Sequence, residues 1–199
     1  MGAAAVTGSP PWLAPLEQSA PDVVACWRVA DSLLRARREL RARAGAGSAD
    51  RILGQQEAIA DAMAAALRAL PGSALRIAGG EADWNVAETF AHATAARRWL
   101  PRAAALAAAD EWPAQPPVVQ PGVPGPADAT QEELLALLEK SRRSMAESAA
   151  RIAGHEADPC PLDHPLIGRL RCGEWLLWAG VHDLMHLEQL DRIGRAIRA

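Results

Sequence analysis

The chain has 199 residues and a net charge of −3, and half of its residues are apolar. This length suits one domain with a buried core, and the charge gives no general attraction to nucleic acid or to an anionic membrane. The arginine-rich stretch 35–43 is interpreted as the solvated face of a helix. Much of the apolar content is alanine, β-branched residues are scarce and Tyr is absent. This composition predicts an all-α protein, because alanine is the strongest helix former.

Residues 1–20 are rich in Ala, Pro and Gly, which predicts a flexible N-terminal arm. This arm lacks a basic start and its apolar run is broken by prolines, so it does not resemble a signal peptide. No apolar stretch approaches the length of a membrane span. The three cysteines form no CxxC pair, and their odd number indicates reduced thiols and a cytoplasmic location.

The spacing of apolar residues predicts five helices. They are expected over 22–43, 49–70, 85–110, 130–153 and 171–195. The first belongs to an additional N-terminal segment, 21–48, and would pack outside the other four or across one end of them. Residues 49–199 are predicted to form an antiparallel four-helix bundle, because four helices of this length with one or two long connections suit that architecture.

Proline and polar residues predict where these helices end or bend. Pro101 is expected to kink or interrupt the helix over 85–110. Six prolines indicate a loop over 111–128. Thr130 is followed by two glutamates, which is typical of a helix N-cap with acidic residues in its first turn.

His182 and His186 form the most informative pair in the chain. Four residues apart on a helix, they lie about 40° from each other around the axis and one turn apart along it. That spacing lets both imidazoles bind one metal ion. His92 lies in a different predicted helix, on a stripe that also looks inward. The three histidines predict a metal site between two helices, and a fourth position would stay open for water or substrate, as in catalytic sites.

The alternative is that each histidine is an ordinary core residue. A metal is favoured because three buried imidazoles need partners and one cation satisfies all three lone pairs. Glu88, one turn before His92, has three open roles: it could orient an imidazole, act as the catalytic base, or stabilise the start of its helix. Glu188 is expected to face away from the site, and Asp183 is expected at the edge of the helix or on the surface.

Other residues near the predicted site keep open roles. His164, in the connection before the last helix, is expected to cap that helix or to line the mouth of a pocket, and it is left outside the ligand set. Trp99, Trp175 and Trp178 are candidates for an apolar substrate wall or for plain core. Cys172 is expected to serve packing rather than catalysis.

Three stretches of the chain resemble a known family. They are Trp84-Asn85-Val86-Ala87-Glu88-Thr89-Phe90-Ala91-His92, His164-Pro165-Leu166-Ile167-Gly168-Arg169-Leu170, and the run from Glu174-Trp175 to His182-x3-His186-Leu187-x-Gln189. Together they are similar to the DinB/YfiT-like metalloproteins over residues 50–195. The resemblance implies a four-helix bundle that holds a divalent zinc, nickel or iron ion on His92, His182 and His186. Homodimers are common in such families, so a second copy of the chain is a candidate partner.

The resemblance also implies a function. Some members are thiol S-transferases that use bacillithiol or mycothiol, and a metal suits that work because it stabilises the thiolate. We therefore expect a bacterial transferase that acts on a small-molecule substrate, with a low-molecular-weight thiol as cosubstrate. Mycothiol-dependent isomerases carry Glu at the position of His182, so that activity ranks lower. Ergothioneine-making iron enzymes share the string His182-x3-His186-x-Glu188 but need a second, larger domain.

Two alternative functions without catalysis remain open. One is a metal-binding helical bundle with a structural or stress-associated role, in which the ion only ties helices together. The other is a small protein–protein interaction module in which the histidines are core residues.

Overall fold

The computed structural model describes residues 10–79 and 83–198. Seven α-helices occur in these residues: α1 (Leu13–Ser19), α2 (Pro21–Trp27), α3 (Leu33–Arg43), α4 (Ala49–Arg68), α5 (Val86–Ala108), α6 (Gln131–Ile152) and α7 (Cys172–Arg198). A short 3-10 helix, Gly72–Arg76, lies between α4 and α5. The described ranges hold two isolated β-bridges but no strand. No helix among them has the length and apolarity needed to cross a membrane.

The predicted all-α class is confirmed, and the core lies between the four longest helices. Helix α5 packs along both α6 and α7, and α4 packs along the same two helices. Apart from Arg97, the largest side chains buried there are apolar, such as Phe90, Met63, Leu138 and Trp175. Alanines between them let the helix axes approach, as expected from the composition.

Two of the long helices begin with the same local device. Asn85 accepts a hydrogen bond from the backbone N–H of Glu88, whose carboxylate accepts one from the N–H of Asn85. Thr130 and Glu133 make the equivalent reciprocal pair at the start of α6, which confirms the predicted N-cap. These capping boxes satisfy backbone donors that have no partner inside the helix.

The N-terminal region differs from the prediction in two ways. The single helix expected over 22–43 is wrong: α2 ends at Trp27, and α3 begins only after Ser32. The break falls at Asp31 and Ser32, whose short polar side chains compete with helical hydrogen bonding. The predicted flexible arm contains α1, which buries Leu13 and Leu16. Residues 1–9 lie outside the described part of the chain.

Pro101 does not interrupt α5. The helix continues from Val86 to Ala108, with Pro101 inside it. Proline costs a helix interior one hydrogen bond and roughly 3 kcal/mol. Here Leu100, Pro101 and Ala104 are all buried against neighbouring helices, and that packing outweighs the local cost.

A buried ion pair joins α5 to α7. Arg97 donates to the carboxylate of Asp183 at 2.6 Å, and both side chains are fully buried. Arg97 also donates to the side-chain and backbone oxygens of Gln56 on α4. The expectation that Asp183 lies at an edge or on the surface is therefore wrong. Helical angle alone could not show it, because its partner comes from a helix 86 residues away.

Burial raises the pKa of Asp183 to about 6, while the Arg97 guanidinium opposes that rise. The carboxylate is therefore ionised at neutral pH and pairs with Arg97. Since Gln56 also donates to the carbonyl of Leu176 on α7, one polar network connects three helices. The network fixes α5 and α7 relative to each other one residue away from His182.

Replacing either of two helical glycines by alanine should change the free energy of unfolding, in opposite directions at the two positions. Gly54→Ala, at an exposed position of α4 where an added Cβ meets nothing, should stabilise the protein by about 0.5–1 kcal/mol. Gly180→Ala should destabilise it by about 1–3 kcal/mol, because the added Cβ would lie 2.7 and 2.9 Å from the amide atoms of Gln56. Urea unfolding of both variants measures the two free energies. A Gly180→Ala protein as stable as the parent would contradict the tight contact.

Candidate metal centre

The structure brings the three predicted histidines together. His182 and His186 lie one turn apart on α7, and His92 faces them from α5. One nitrogen from each ring lies within 4.8 Å of the corresponding nitrogens of the other two. The ring centroid of His92 is 5.2 Å from that of His182 and 5.0 Å from that of His186.

Hydrogen bonds outside the cluster fix which nitrogens face inward. His92 Nδ1–H donates to the carbonyl oxygen of Val123 at 2.7 Å. His186 Nδ1–H donates to the side-chain oxygen of Gln189 at 2.9 Å. Because a neutral imidazole carries one proton, the Nε2 atoms of both rings hold free lone pairs. Outer partners of this kind orient metal-binding histidines.

The spacing of the two nitrogens on α7 fits one small cation. His182 Nε2 and His186 Nε2 are 3.2 Å apart. Two ligands bound tetrahedrally at roughly 2.0–2.1 Å would lie about 3.3 Å from each other. The donor set also fits, since imidazole nitrogens suit a borderline divalent metal such as zinc, nickel or iron. The three histidines can therefore hold a divalent metal ion.

Burial keeps the rings of His182 and His186 unprotonated. Desolvation lowers the pKa of His186 to about 4, against the opposing effect of its hydrogen bond to Gln189. Desolvation and the neighbouring rings of His186 and His92 lower the pKa of His182 well below its usual range. Both rings are therefore neutral at pH 7, which is the form that ligates a metal.

A cavity of about 740 Å³ opens directly onto the three histidines. Its walls come from α5, α7, Leu137 of α6 and the proline-rich segment 118–126. Two tryptophans, Trp99 and Trp178, line it, whereas Trp175 is fully buried in the core. Two of the three candidate wall tryptophans thus face the cavity. Its position leaves the histidine cluster accessible to a small molecule from one side.

Glu88 lies at the start of α5 and does not line the cavity. Its carboxylate accepts the hydrogen bond of the Asn85 backbone N–H in the capping box, which matches the helix-start role. Among the described residues that line the cavity, Glu88 does not occur. Its predicted role as catalytic base therefore remains a prediction, without a contact to the histidines that supports it.

The other histidines, Glu188 and the cysteines lie outside the cluster of three histidines. Glu188 is exposed, so it faces away from the site as expected. His164 lines the cavity, and its Nδ1 accepts a hydrogen bond from the backbone N–H of Leu166. His155 pairs with Asp158 in the connection before α7 and is exposed. The three cysteines are buried free thiols, which agrees with a packing role for Cys172.

Sequence reasoning missed the partners that orient two of the rings. Gln189 follows His186 by three residues on the same helical face, so its spacing alone could have identified it. The carbonyl of Val123 carried no such pattern, because a backbone atom is independent of residue type. It reaches His92 because Gly125 lies against α5, where its N–H donates to the carbonyl of Glu88.

Comparison with known proteins identifies the family of the chain. The model of the DinB superfamily matches residues 55–190, which contain all three histidines. The chain belongs to the DinB superfamily. No curated protein and no solved structure matches the chain.

The lowered pKa values predict how the metal-free protein responds to acid. In the unfolded chain His186 gains a proton near its ordinary pKa of 6.5, whereas in the folded chain it stays neutral down to about pH 4. In that window the unfolded state binds more protons at His186, so this ring alone makes stability fall with decreasing pH by roughly 1.4 kcal/mol per unit. The raised pKa of Asp183 acts in the opposite direction, so the His186 contribution is read from the difference between parent and variant. Urea unfolding of chelator-treated protein between pH 7.5 and 4.5 measures the slope.

His186→Gln should flatten that slope, whereas substitution of the exposed His155 by Gln should leave it unchanged. Equal slopes for the parent and His186→Gln would show that the buried ring does not contribute.

The contact between the proline-rich segment and α5 predicts that a substitution at Gly125 weakens metal binding. In Gly125→Ala the added Cβ would overlap the Cβ of Ala91 and lie 3.1 Å from the carbonyl oxygen of Glu88. The segment must move away, and His92 then loses the carbonyl of Val123. Metal affinity should fall about tenfold to hundredfold, as expected for loss of an outer partner.

Competition with a chromophoric chelator measures that affinity. Gly72→Ala is the matched control, because an added Cβ there meets nothing within 4 Å. If Gly125→Ala binds metal as tightly as the control, the segment does not position His92.

Proposed function

We propose that this protein is a divalent-metal-dependent enzyme and that His92, His182 and His186 are its metal ligands. The observation that carries the proposal is the convergence of three ring nitrogens, together with the outward hydrogen bonds that hold the Nδ1 protons of His92 and His186. When bound, the metal would lower the pKa of a thiol or water so that it reacts as a nucleophile at neutral pH.

The structure supports a reactive rather than a purely structural ion. The histidines supply three ligands and line a cavity, so the fourth coordination position would face the space where a small molecule fits. A structural site is normally closed by a fourth protein ligand. Within the described chain, the cluster of candidate ligands comprises these three histidines alone.

We further propose that the reaction is transfer to or from sulfur, with a low-molecular-weight thiol of the mycothiol or bacillithiol type as cosubstrate. Membership of the DinB superfamily supports this choice, as does a cavity large enough for two small molecules. In this proposal α4–α7 form the antiparallel bundle of the family, and the protein acts in the cytoplasm, where its three free thiols stay reduced. The chain's residues orient both reactants and exclude water from the apolar part of the cavity.

Metal titration tests the first step. Chelator-treated protein should bind one equivalent of Co²⁺ or Zn²⁺, and His92→Ala, His182→Ala and His186→Ala should each weaken binding at least about tenfold. His155→Ala is the control and should bind as the parent does, because His155 is exposed and paired with Asp158. Circular dichroism verifies that each variant folds. Failure of the parent to bind metal, or an equal loss in the control, would contradict the site.

The thiol step has its own test. Addition of a low-molecular-weight thiol to the cobalt-loaded protein should produce a sulfur-to-cobalt charge-transfer band, since thiolates ligate the metal directly. An unchanged cobalt spectrum with every thiol tried would refute the thiol role and leave the metal site intact. If metal removal unfolds the protein and no thiol binds, the ion is structural.

A further inference from the structure

Arg98 lines the same cavity as the histidines and has no counter-ion among the described residues. It follows Arg97 in α5, but the two side chains differ in their contacts. Arg97 is fully buried and bound to Asp183 and Gln56. Arg98 makes no ion pair or side-chain hydrogen bond with any described residue, and its Nε is buried without a partner. A guanidinium stays charged throughout the physiological pH range, so the cavity contains an unbalanced positive charge.

The other side chains that line the cavity do not balance this positive charge. None of the described lining residues is an aspartate or a glutamate. His164 adds a further donor: its Nδ1 accepts backbone N–H bonds from Leu166 and Ile167, so its single ring proton resides on Nε2. The cavity therefore supplies hydrogen-bond donors and a cation but no anion of its own.

Most of the remaining surface is apolar. Trp99 and Trp178 offer large flat faces, and Met185 and Leu137 add aliphatic contact. Arg98 is half-buried, and its buried Nε–H donor lacks a partner, which costs free energy unless a ligand accepts a hydrogen bond from it. A carboxylate is the simplest partner, because it accepts two parallel hydrogen bonds from a guanidinium.

We propose that the cavity binds an organic carboxylate, with its carboxylate on Arg98 and an aromatic or aliphatic body against Trp99 and Trp178. This rests on the proposed function for the identity of the reacting end. Arg98 is six residues beyond His92, about 9 Å along the helix axis. It is also about 120° from His92 around the helix, but both residues line the one cavity, so a ligand anchored by its carboxylate at Arg98 can extend its opposite end through that cavity toward the histidines. The arrangement selects substrates that are anionic at one end and reactive at the other.

The test compares a series of ω-phenylalkanoates with their primary amides, which have the same size but no charge. Binding is followed by quenching of tryptophan fluorescence, because two tryptophans line the cavity, and by calorimetry. The protein as purified should bind the best carboxylate about tenfold to hundredfold more tightly than its amide. Equal affinities for carboxylate and amide would overturn the proposal.

Substitutions locate the charge. Arg98→Met keeps an apolar stem and should reduce carboxylate affinity to that of the amide, while amide affinity stays the same. Arg98→Gln serves the same purpose if the methionine variant does not fold. Arg102→Met is the matched control, because Arg102 is exposed on the same helix and lies outside the cavity lining. A carboxylate preference that survives in both Arg98 variants would overturn the assignment.

One further variant separates this proposal from the metal site. A carboxylate could also bind the metal directly, and then His182→Ala would abolish the preference while Arg98→Met would not; that result overturns the role of Arg98. If His182→Ala loses metal but keeps the preference, the anion site is confirmed independently. If His182→Ala binds metal as the parent does, the proposed metal function fails, and the response to Arg98→Met still decides this proposal.

Discussion

Two imidazole nitrogens held 3.2 Å apart inside a helical core, with a third ring facing them, are the constraint on which the site depends. The rings cannot move apart freely, because His186 is bound through its other nitrogen to Gln189 and His92 to the carbonyl of Val123. Because both Nδ1 protons are held in this way, the Nε2 lone pairs of His92 and His186 point into the cluster. One cation satisfies all of them at once, which is the physical reason to assign a metal here.

The surrounding fold serves to hold two helices in register. His92 and Arg97 are both on α5, while His182 and Asp183 are adjacent on α7. The buried pair between Arg97 and Asp183 therefore fixes the same two helices that carry the histidines. Gln56 ties the pair to α4, and its close contact with Gly180 leaves little space for adjustment. A buried ion pair of this kind contributes specificity of arrangement as much as stability, since each charge needs its partner to be tolerated.

The parts of the account that were predictable from sequence are those governed by local periodicity. The histidine pair on α7, the inward position of His92 on α5 and the capping of α6 at Thr130 follow from spacing within each helix, and the all-α class follows from composition. Contacts between distant segments were not predictable in the same way. The burial of Asp183 depends on Arg97, and the orientation of His92 depends on a backbone carbonyl in a loop.

Two further differences concern where helices continue or break. Pro101 stays inside a continuous helix because tertiary packing outweighs its local cost. The break between α2 and α3 arises without any glycine or proline, so only the weak preferences of Asp31 and Ser32 marked it. The role of Glu88 was open among three uses of a carboxylate, and the capping contact favours the helix-start role. Arg98 gave no pattern in the sequence at all, since an unpaired charge is visible only when its neighbours are known.

Anomalous diffraction from crystals of the zinc-loaded or cobalt-loaded protein tests the central claim most directly. The account predicts a single anomalous peak within about 2.0–2.1 Å of one ring nitrogen from each of the three histidines. The Nδ1 atoms of His92 and His186 should keep their bonds to Val123 and Gln189. A peak bound by only His182 and His186, with the ring of His92 turned away, or a peak elsewhere in the molecule, would contradict it.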